Sequence, residues 1–476
     1  MELKTARRIV VNFASLMVSQ IIARLIQLAI FVFLARSLRK EDFGVFSFGF
    51  AFSMISVIVA DFGLSLLLVR EISRDKKSAS KYLSNSIYAK IVLSVITVIL
   101  AILFFEIIDY SKEVKIVAYV MLLFTLLQSV TELYFSIYRA FEKMYYDAFL
   151  KIFRMVLLMS AVFYLIKMDY GLIAISMAFL VTEMIILIIA AIISYVKFVN
   201  ISFNFDYEFT KRLIKESSIF FFSVVFTTIY LYIDQIFISK FRGTTEVGVY
   251  SAAANIVIML IFIPQMYVNS IFPVISRFYI NSKESLKLAY EKSFKYMFIL
   301  GLSIAAGIFV LSDKIILLLY GKEFSEAVIV LKVLTGYSFF KFLNPVTGYT
   351  LIAINKQGTR LFSQASAAVI NIVLNIVLIP KYGIVGAAIA TLVTEIIFSI
   401  IYSGFISRYG FGFKFLISFI YKPIIAAAAM IFSLRFVDNL FSAVLTGFLV
   451  YTAVLLFLRI IDSEDKRIFY KIVKNL

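Results

Sequence analysis

The chain has 476 residues, 62% of them hydrophobic and only 16% charged, with a mean hydropathy of +0.98; that is too little charge to cover a water-soluble surface of this size. It contains no cysteine and no histidine, which excludes disulfides, zinc sites of the Cys/His type and any catalytic triad built on an imidazole. The net charge of +18 is carried by Lys and Arg that punctuate the apolar runs rather than by a basic soluble segment, so no nucleic-acid partner is expected.

Apolar runs long enough to cross a bilayer occupy 12–34, 44–69, 83–108, 114–138, 147–166, 171–196, 217–239, 248–272, 293–312, 327–352, 361–380, 384–405, 418–437 and 440–458. Most reach the roughly 20 residues that a spanning helix needs. They predict an all-α integral membrane protein with about 14 transmembrane helices. The first run is too long for a signal-peptide core and lacks a small-residue cleavage site, so it is read as retained. With both termini placed on one side, the loops of that side hold 31 of the 47 Lys and Arg residues and the opposite loops hold 12. The positive-inside rule then puts both termini and the polar connector 197–216 in the cytoplasm, in a multi-pass plasma-membrane protein.

The chain also repeats itself. YGLIAISMAFLVTE at 170–183 returns as YGIVGAAIATLVTE at 382–395, with seven of fourteen positions identical and a glutamate, Glu183 or Glu395, closing each copy. ARSLRKEDFGVFS (35–47) is matched by SKFRGTTEVGVYS (239–251), and YSKEVKIV (110–117) by FSEAVIVL (324–331). Two related bundles in one chain are the signature of a transporter with its substrate path between the halves. The expected organisation is an N-terminal six-helix lobe (1–200), a second lobe repeating it (201–411), and an extra helix pair with a basic cytoplasmic tail (412–476).

Five segments in this order resemble the multidrug/oligosaccharidyl-lipid/polysaccharide exporter superfamily, in its polysaccharide-flippase (Wzx-type) branch. They are LARSLRKEDFGVFSF (34–48), DFGLSLLLVREISR (61–74), YIDQIFISKFRGTTEVGVYSAA (232–253), LLYGKEFSEA (318–327) and NIVLNIVLIPKYGIVGAAIATLVTE (371–395). The resemblance covers essentially the whole chain. It implies a flippase that moves a polyprenyl-phosphate- or pyrophosphate-linked oligosaccharide to the outer leaflet by alternating access, a transporter and not an enzyme. It further implies membrane lipids and a proton or sodium coupling ion as partners, no cofactor, and a monomer. Asp61-Phe62-Gly63 and the sequon Asn200-Ile201-Ser202 are set aside: the first lacks a kinase catalytic loop, the second falls in a cytoplasmic segment.

Ionisable residues at bilayer depth are costly and mark candidate sites. Arg24 lies near the middle of the first run, beyond easy snorkelling, and its planar fork suits a phosphate. The resemblance adds that the lipid II flippase branch has an arginine twelve residues before its own Ala-Arg motif, as Arg24 stands before Arg36; a structural ion pair is the competing role. Lys90 either pairs with Glu132 on the next helix or serves a headgroup site. Lys341, before Asn344-Pro345, either binds substrate at a broken helix or snorkels beside a plain kink. Glu183 and Glu395 either carry a coupling ion or tie helices together, and Asp61 and Asp234 are expected to cap loops or to pair with Arg70 and Lys240. The alternative function is a cation-coupled multidrug exporter of the MATE type, which calls for a carboxylate-dominated cavity. A major-facilitator carrier is disfavoured by the helix count and missing loop signatures, and a membrane glycosyltransferase usually carries a large loop with acidic metal ligands, for which no loop in this chain is long enough.

Overall fold

The computed structural model describes residues 2–199, 205–412, 414–461 and 465. The Asn200-Ile201-Ser202 sequon and the basic tail from Lys466 onward therefore lie outside the described residues. Among those described, regular structure is entirely helical, as expected where hydrocarbon offers the backbone no hydrogen-bond partner. The chain divides into two compact units, Met1–Asn255 with Ala368–Ala387, and Ile256–Ala367 with Ala388–Leu476.

The first unit begins with α1 (Glu2–Ser37), α2 (Lys40–Asp61), the short α3 (Leu64–Arg74), α4 (Ala79–Ile107) and α5 (Lys112–Ala140). It continues with α6 (Met144–Lys167), α7 (Leu172–Lys197), α8 (Tyr207–Arg242) and the start of α9 (Thr244–Asn281). α5 packs against α2 and α7, and α1 against α6. The apolar run 44–69 does not form one helix. Phe62 (φ 44°) and Gly63 (φ 73°) turn left-handed, a conformation that glycine accepts without strain. Gly63 also passes α8 so closely that a Cβ there would lie 2.7 Å from that of Phe220. Beyond the turn, α3 is amphipathic: Leu64, Leu67, Leu68 and Ile72 are buried in one cluster with Leu133, Phe135 and Ile137 of α5, at the i, i+3, i+4 spacing of a single helix face. Its polar face carries Arg70, which bonds Glu71 at 2.6 Å and Glu216 at 3.3 Å.

The opening turns of α2 and α9 touch through glycine. A Cβ on Gly248 would stand 3.0 Å from the Gly44 Cα, and one on Gly44 would collide with the Thr244 carbonyl. These glycines are counterparts in the 35–47 and 239–251 repeat, so a residue here packs against its own copy.

The second unit contains the remainder of α9, α10 (Lys283–Tyr320), α11 (Ala327–Ala353), the flanks of α12 (Gln357–Arg408), α13 (Tyr421–Leu434) and α14 (Leu440–Phe457). α10 lies against α11, and α13 against α14. α12 is two helices joined at Gly383, whose φ of 57° and ψ of −139° are not helical. Next to the break, the Ile379 and Pro380 carbonyls accept from the Arg242 guanidinium at 3.3 and 2.7 Å, which satisfies acceptors that the interrupted ladder leaves open. Twelve helices among the described residues are long and apolar enough to span a membrane, with α12 counted once. The run 418–437 yields only the 14 residues of α13, short of the roughly 20 a span requires. With the two arms of α12 counted separately and the short α13 included, the apolar helices correspond to the fourteen expected runs, of which α13 falls short of a full span.

Candidate functional site

Within the first unit, α1, α2, α5, α6 and α7, with Tyr232 of α8, surround a cavity of about 400 Å³. α1 gives it Gln20, Arg24 and Gln27; α5 gives Gln128 and Glu132; α6 gives Lys151 and Arg154. The Arg24 guanidinium donates to Gln27 Oε1 at 3.0 Å, and no carboxylate among the described residues comes within ion-pair distance of it. Its side chain is exposed to the cavity rather than packed away.

Behind Arg24 lies a network of paired charges. Arg139 donates to Glu132 at 2.6 Å and to Asp147 at 2.7 Å. Lys151 sits 2.7 Å from Asp147 and 3.9 Å from Glu132. Arg154, only 8% exposed, donates through Nη1 to Glu183 Oε2 at 3.2 Å, while its Nε–H finds no partner among the described residues. Three cations thus answer three carboxylates: Arg139, Lys151 and Arg154 against Glu132, Asp147 and Glu183. Arg24 is the cation outside that balance, so the cavity wall presents surplus positive charge and several amides. Such a surface suits a phosphate or another polyanionic group with hydroxyls around it.

Lys90 is absent from this cavity lining. Its buried ammonium bonds Asp61 Oδ1 at 2.7 Å and both the carbonyl and the hydroxyl of Ser129 at 2.5 Å. The expected Lys90–Glu132 pair is therefore corrected to Lys90–Asp61. Glu132, one turn beyond Ser129 on α5, is turned instead to Arg139 and Lys151. Asp61, expected to cap or to meet Arg70, takes Lys90 and the Ser65 hydroxyl.

The two repeat-related glutamates have parallel surroundings. Thr131 of α5 donates to Glu183 at 2.7 Å, and Asn344 of α11 donates to Glu395 at 2.6 Å, from 52 and 51 residues upstream. Each glutamate also meets a cation, but from a different helix: Arg154 of α6 for Glu183, and Lys341 of α11 for Glu395 at 3.0 Å. Lys341 lies 5.3 Å from the centre of the Tyr337 ring as well. Asp234 accepts from the Tyr250 hydroxyl and from Asn375 Nδ2, both at 2.6 Å, and Asn375 in turn donates to Asn371 at 3.1 Å. No group of three or more acidic side chains that could hold a metal ion occurs among the described residues.

Lys151 and Arg154 fall inside the apolar run 147–166. Both stand on α6, because the turn between α5 and α6 is only Phe141-Glu142-Lys143. The available signal was the spacing of Asp147, Lys151 and Arg154 at i, i+4 and i+7, which lines charges up along one helix face.

Residues 9–279, more than half of the chain, match the family described as polysaccharide biosynthesis protein, and 220–377 match the MatE family. The chain is 25% identical over 438 residues to the probable low-salt glycan biosynthesis flippase Agl15 of Haloferax volcanii, covering 89% of this chain and 90% of that one. Over 417 residues it is 23% identical to the capsular polysaccharide biosynthesis protein CapF of Staphylococcus aureus, covering 83% and 99%. Among solved structures, the lipid II flippase MurJ in an inward closed conformation superposes with a TM-score of 0.77 over 94% of this chain and 99% of its own, at 20% identity. That likeness identifies the fold, and with the match over residues 9–279 the chain belongs to the polysaccharide biosynthesis protein family.

Proposed function

We propose that this protein is a flippase that carries a polyprenyl-phosphate- or pyrophosphate-linked oligosaccharide from the cytoplasmic to the outer leaflet of the plasma membrane. The observation that carries the reading is the cavity of the first unit, where Arg24 has no carboxylate partner among the described residues beside an otherwise balanced set of charges. An anionic headgroup supplies the missing counter-charge, and the amides of Gln20, Gln27 and Gln128 suit the hydroxyls of a glycan. The names of the relatives, a glycan biosynthesis flippase and a capsular polysaccharide biosynthesis protein, support the same substrate class. A cation-coupled drug exporter is the weaker reading, because surplus positive charge repels a cationic drug.

In this reading the two six-helix lobes, 1–200 and 201–411, work by alternating access in a monomer with cytoplasmic termini. Lys90 and Lys341 are proposed to tune the headgroup path through the carboxylates they hold, Asp61 and Glu395. Glu183 and Glu395 remain the proposed places for a coupling proton, and their ion pairs favour a helix-tying role for each.

Substitution of Arg24 tests the proposal. Arg24→Ala should abolish transport of the lipid-linked oligosaccharide in reconstituted vesicles while the protein inserts and accumulates normally. Arg24→Lys should restore only part, because the charge returns without the bidentate fork. Wild-type transport by Arg24→Ala would remove the phosphate-contact role; failure of that variant to accumulate would favour a structural one.

A further inference from the structure

The second unit holds an apolar groove of about 460 Å³ between α10, α13 and α14, with Ile304, Gly307, Met430, Gly447 and Phe448 among its walls. One end is closed by Tyr296, and this residue joins the groove to a cluster of charge. Its hydroxyl donates to Asp465 Oδ1 at 2.8 Å. Lys292 meets the same oxygen at 2.9 Å, and Lys295 meets Oδ2 at 2.6 Å. Both lysines and the aspartate are less than 10% exposed.

Two ammonium groups and a phenol converging on one small anion are the donor set of a phosphate site. Lys292, Lys295 and Tyr296 fall about two, one and one turns before the groove's next wall residues on α10, Ile299 and Leu300, so the polar set stands at the groove's mouth. At the other side, Val444 and Phe448 of α14 are 57% and 67% exposed, which in a membrane-spanning helix means contact with lipid chains. A ligand entering here comes from the bilayer, with an apolar chain and an anionic head.

We propose that Lys292, Lys295 and the Tyr296 hydroxyl form a binding site for the phosphate of an anionic phospholipid whose chain lies in the α10–α13–α14 groove, and that Asp465 is a built-in competitor for it. Asp465 occupies the place of the phosphate and is itself tied to α10. Lipid phosphate and Asp465 exclude one another, so the anionic-lipid content of the leaflet sets whether this tie is made. The site is separate from the Arg24 cavity and independent of what that cavity transports.

The test uses the full-length protein in nanodiscs, with phosphatidylglycerol and phosphatidylcholine of identical chains as probes. Retained lipid is counted by native mass spectrometry after detergent release. Asp465→Asn should retain phosphatidylglycerol about tenfold more strongly than wild type, with phosphatidylcholine unchanged, and Lys292→Gln with Lys295→Gln should erase the gain. A fluorophore on Ile461→Cys, the sole thiol of that variant, gives a second readout in an otherwise unaltered chain: phosphatidylglycerol should increase its mobility and phosphatidylcholine should not. Equal retention by wild type and Asp465→Asn together with an unresponsive fluorophore would overturn the proposal. So would a gain that survives loss of both lysines. Displacement of phosphatidylglycerol by one equivalent of a polyprenyl phosphate would overturn its assignment to phospholipid and give the site to the transported lipid.

Discussion

At the scale of single residues, Arg154 and Glu183 carry the sharpest prediction. Both are buried, and each is the other's charged partner. Arg154→Ala strands a carboxylate in the membrane and should destabilise the protein by about 3–5 kcal/mol, read as a fall in thermal unfolding temperature of the purified protein. Replacing both, as Arg154→Met with Glu183→Leu, should recover most of that stability, since a pair exchanged for apolar residues removes two desolvation penalties. Transport should be lost in the double variant if the Arg154 charge itself serves the substrate. Transport by the double variant at wild-type rate would reduce the pair to a structural tie. The sequence discloses part of this site. Arg24 stands out because it lies far from either end of an apolar run, and the glutamates because they recur. Arg154 was hidden because a cation near the start of the run 147–166 reads as one that reaches the membrane surface until its partner Glu183 is seen. The Lys90 partner was missed because helix depth sets Lys90 level with Glu132 but says nothing about rotation around the helix axis.

At the scale of elements, glycine decides where helices bend and where they meet. The apolar run 44–69 reads as one span because hydropathy ignores φ, and the left-handed pair Phe62-Gly63 divides it. Gly383 breaks α12 where the sequence already parts the runs 361–380 and 384–405, just after Pro380. The contact between α2 and α9 gives a measurable consequence. Gly44→Ala forces a methyl into the Thr244 carbonyl and should cost about 1–3 kcal/mol as overpacking. Gly404 lies in α12, where a Cβ would meet nothing within 4 Å, so Gly404→Ala should be neutral or stabilise by up to about 1 kcal/mol. Thermal unfolding of the two variants side by side checks the contrast; equal shifts would mean that the α2–α9 contact yields without cost.

At the scale of the whole molecule, hydropathy and charge counting prescribe an all-helical membrane chain, while the number of full spans is less visible because apolar length does not reveal breaks. Orientation has a direct test. A single cysteine at Phe205, in this cysteine-free chain, should react with a membrane-impermeant thiol reagent only after the cytoplasmic side is opened, whereas one at Lys112 should react from outside in intact cells. Strong external labelling at 205 would reverse the topology read from 31 cations against 12. The meeting of Gly44 with Gly248 bears on how such a chain arises. If the two halves descend from one duplicated gene, their forerunner was a pair of identical subunits, and this position then faced itself across the dyad. Any mutation there struck both sides of the contact at once, so a bulky side chain had no smaller neighbour to accommodate it. Duplication and fusion freed the two sites to change separately, and a large residue on one side can now be matched by backbone retreat on the other. The spot where the ancestral pair was least able to vary is therefore the spot where fusion opened the most new sequence space.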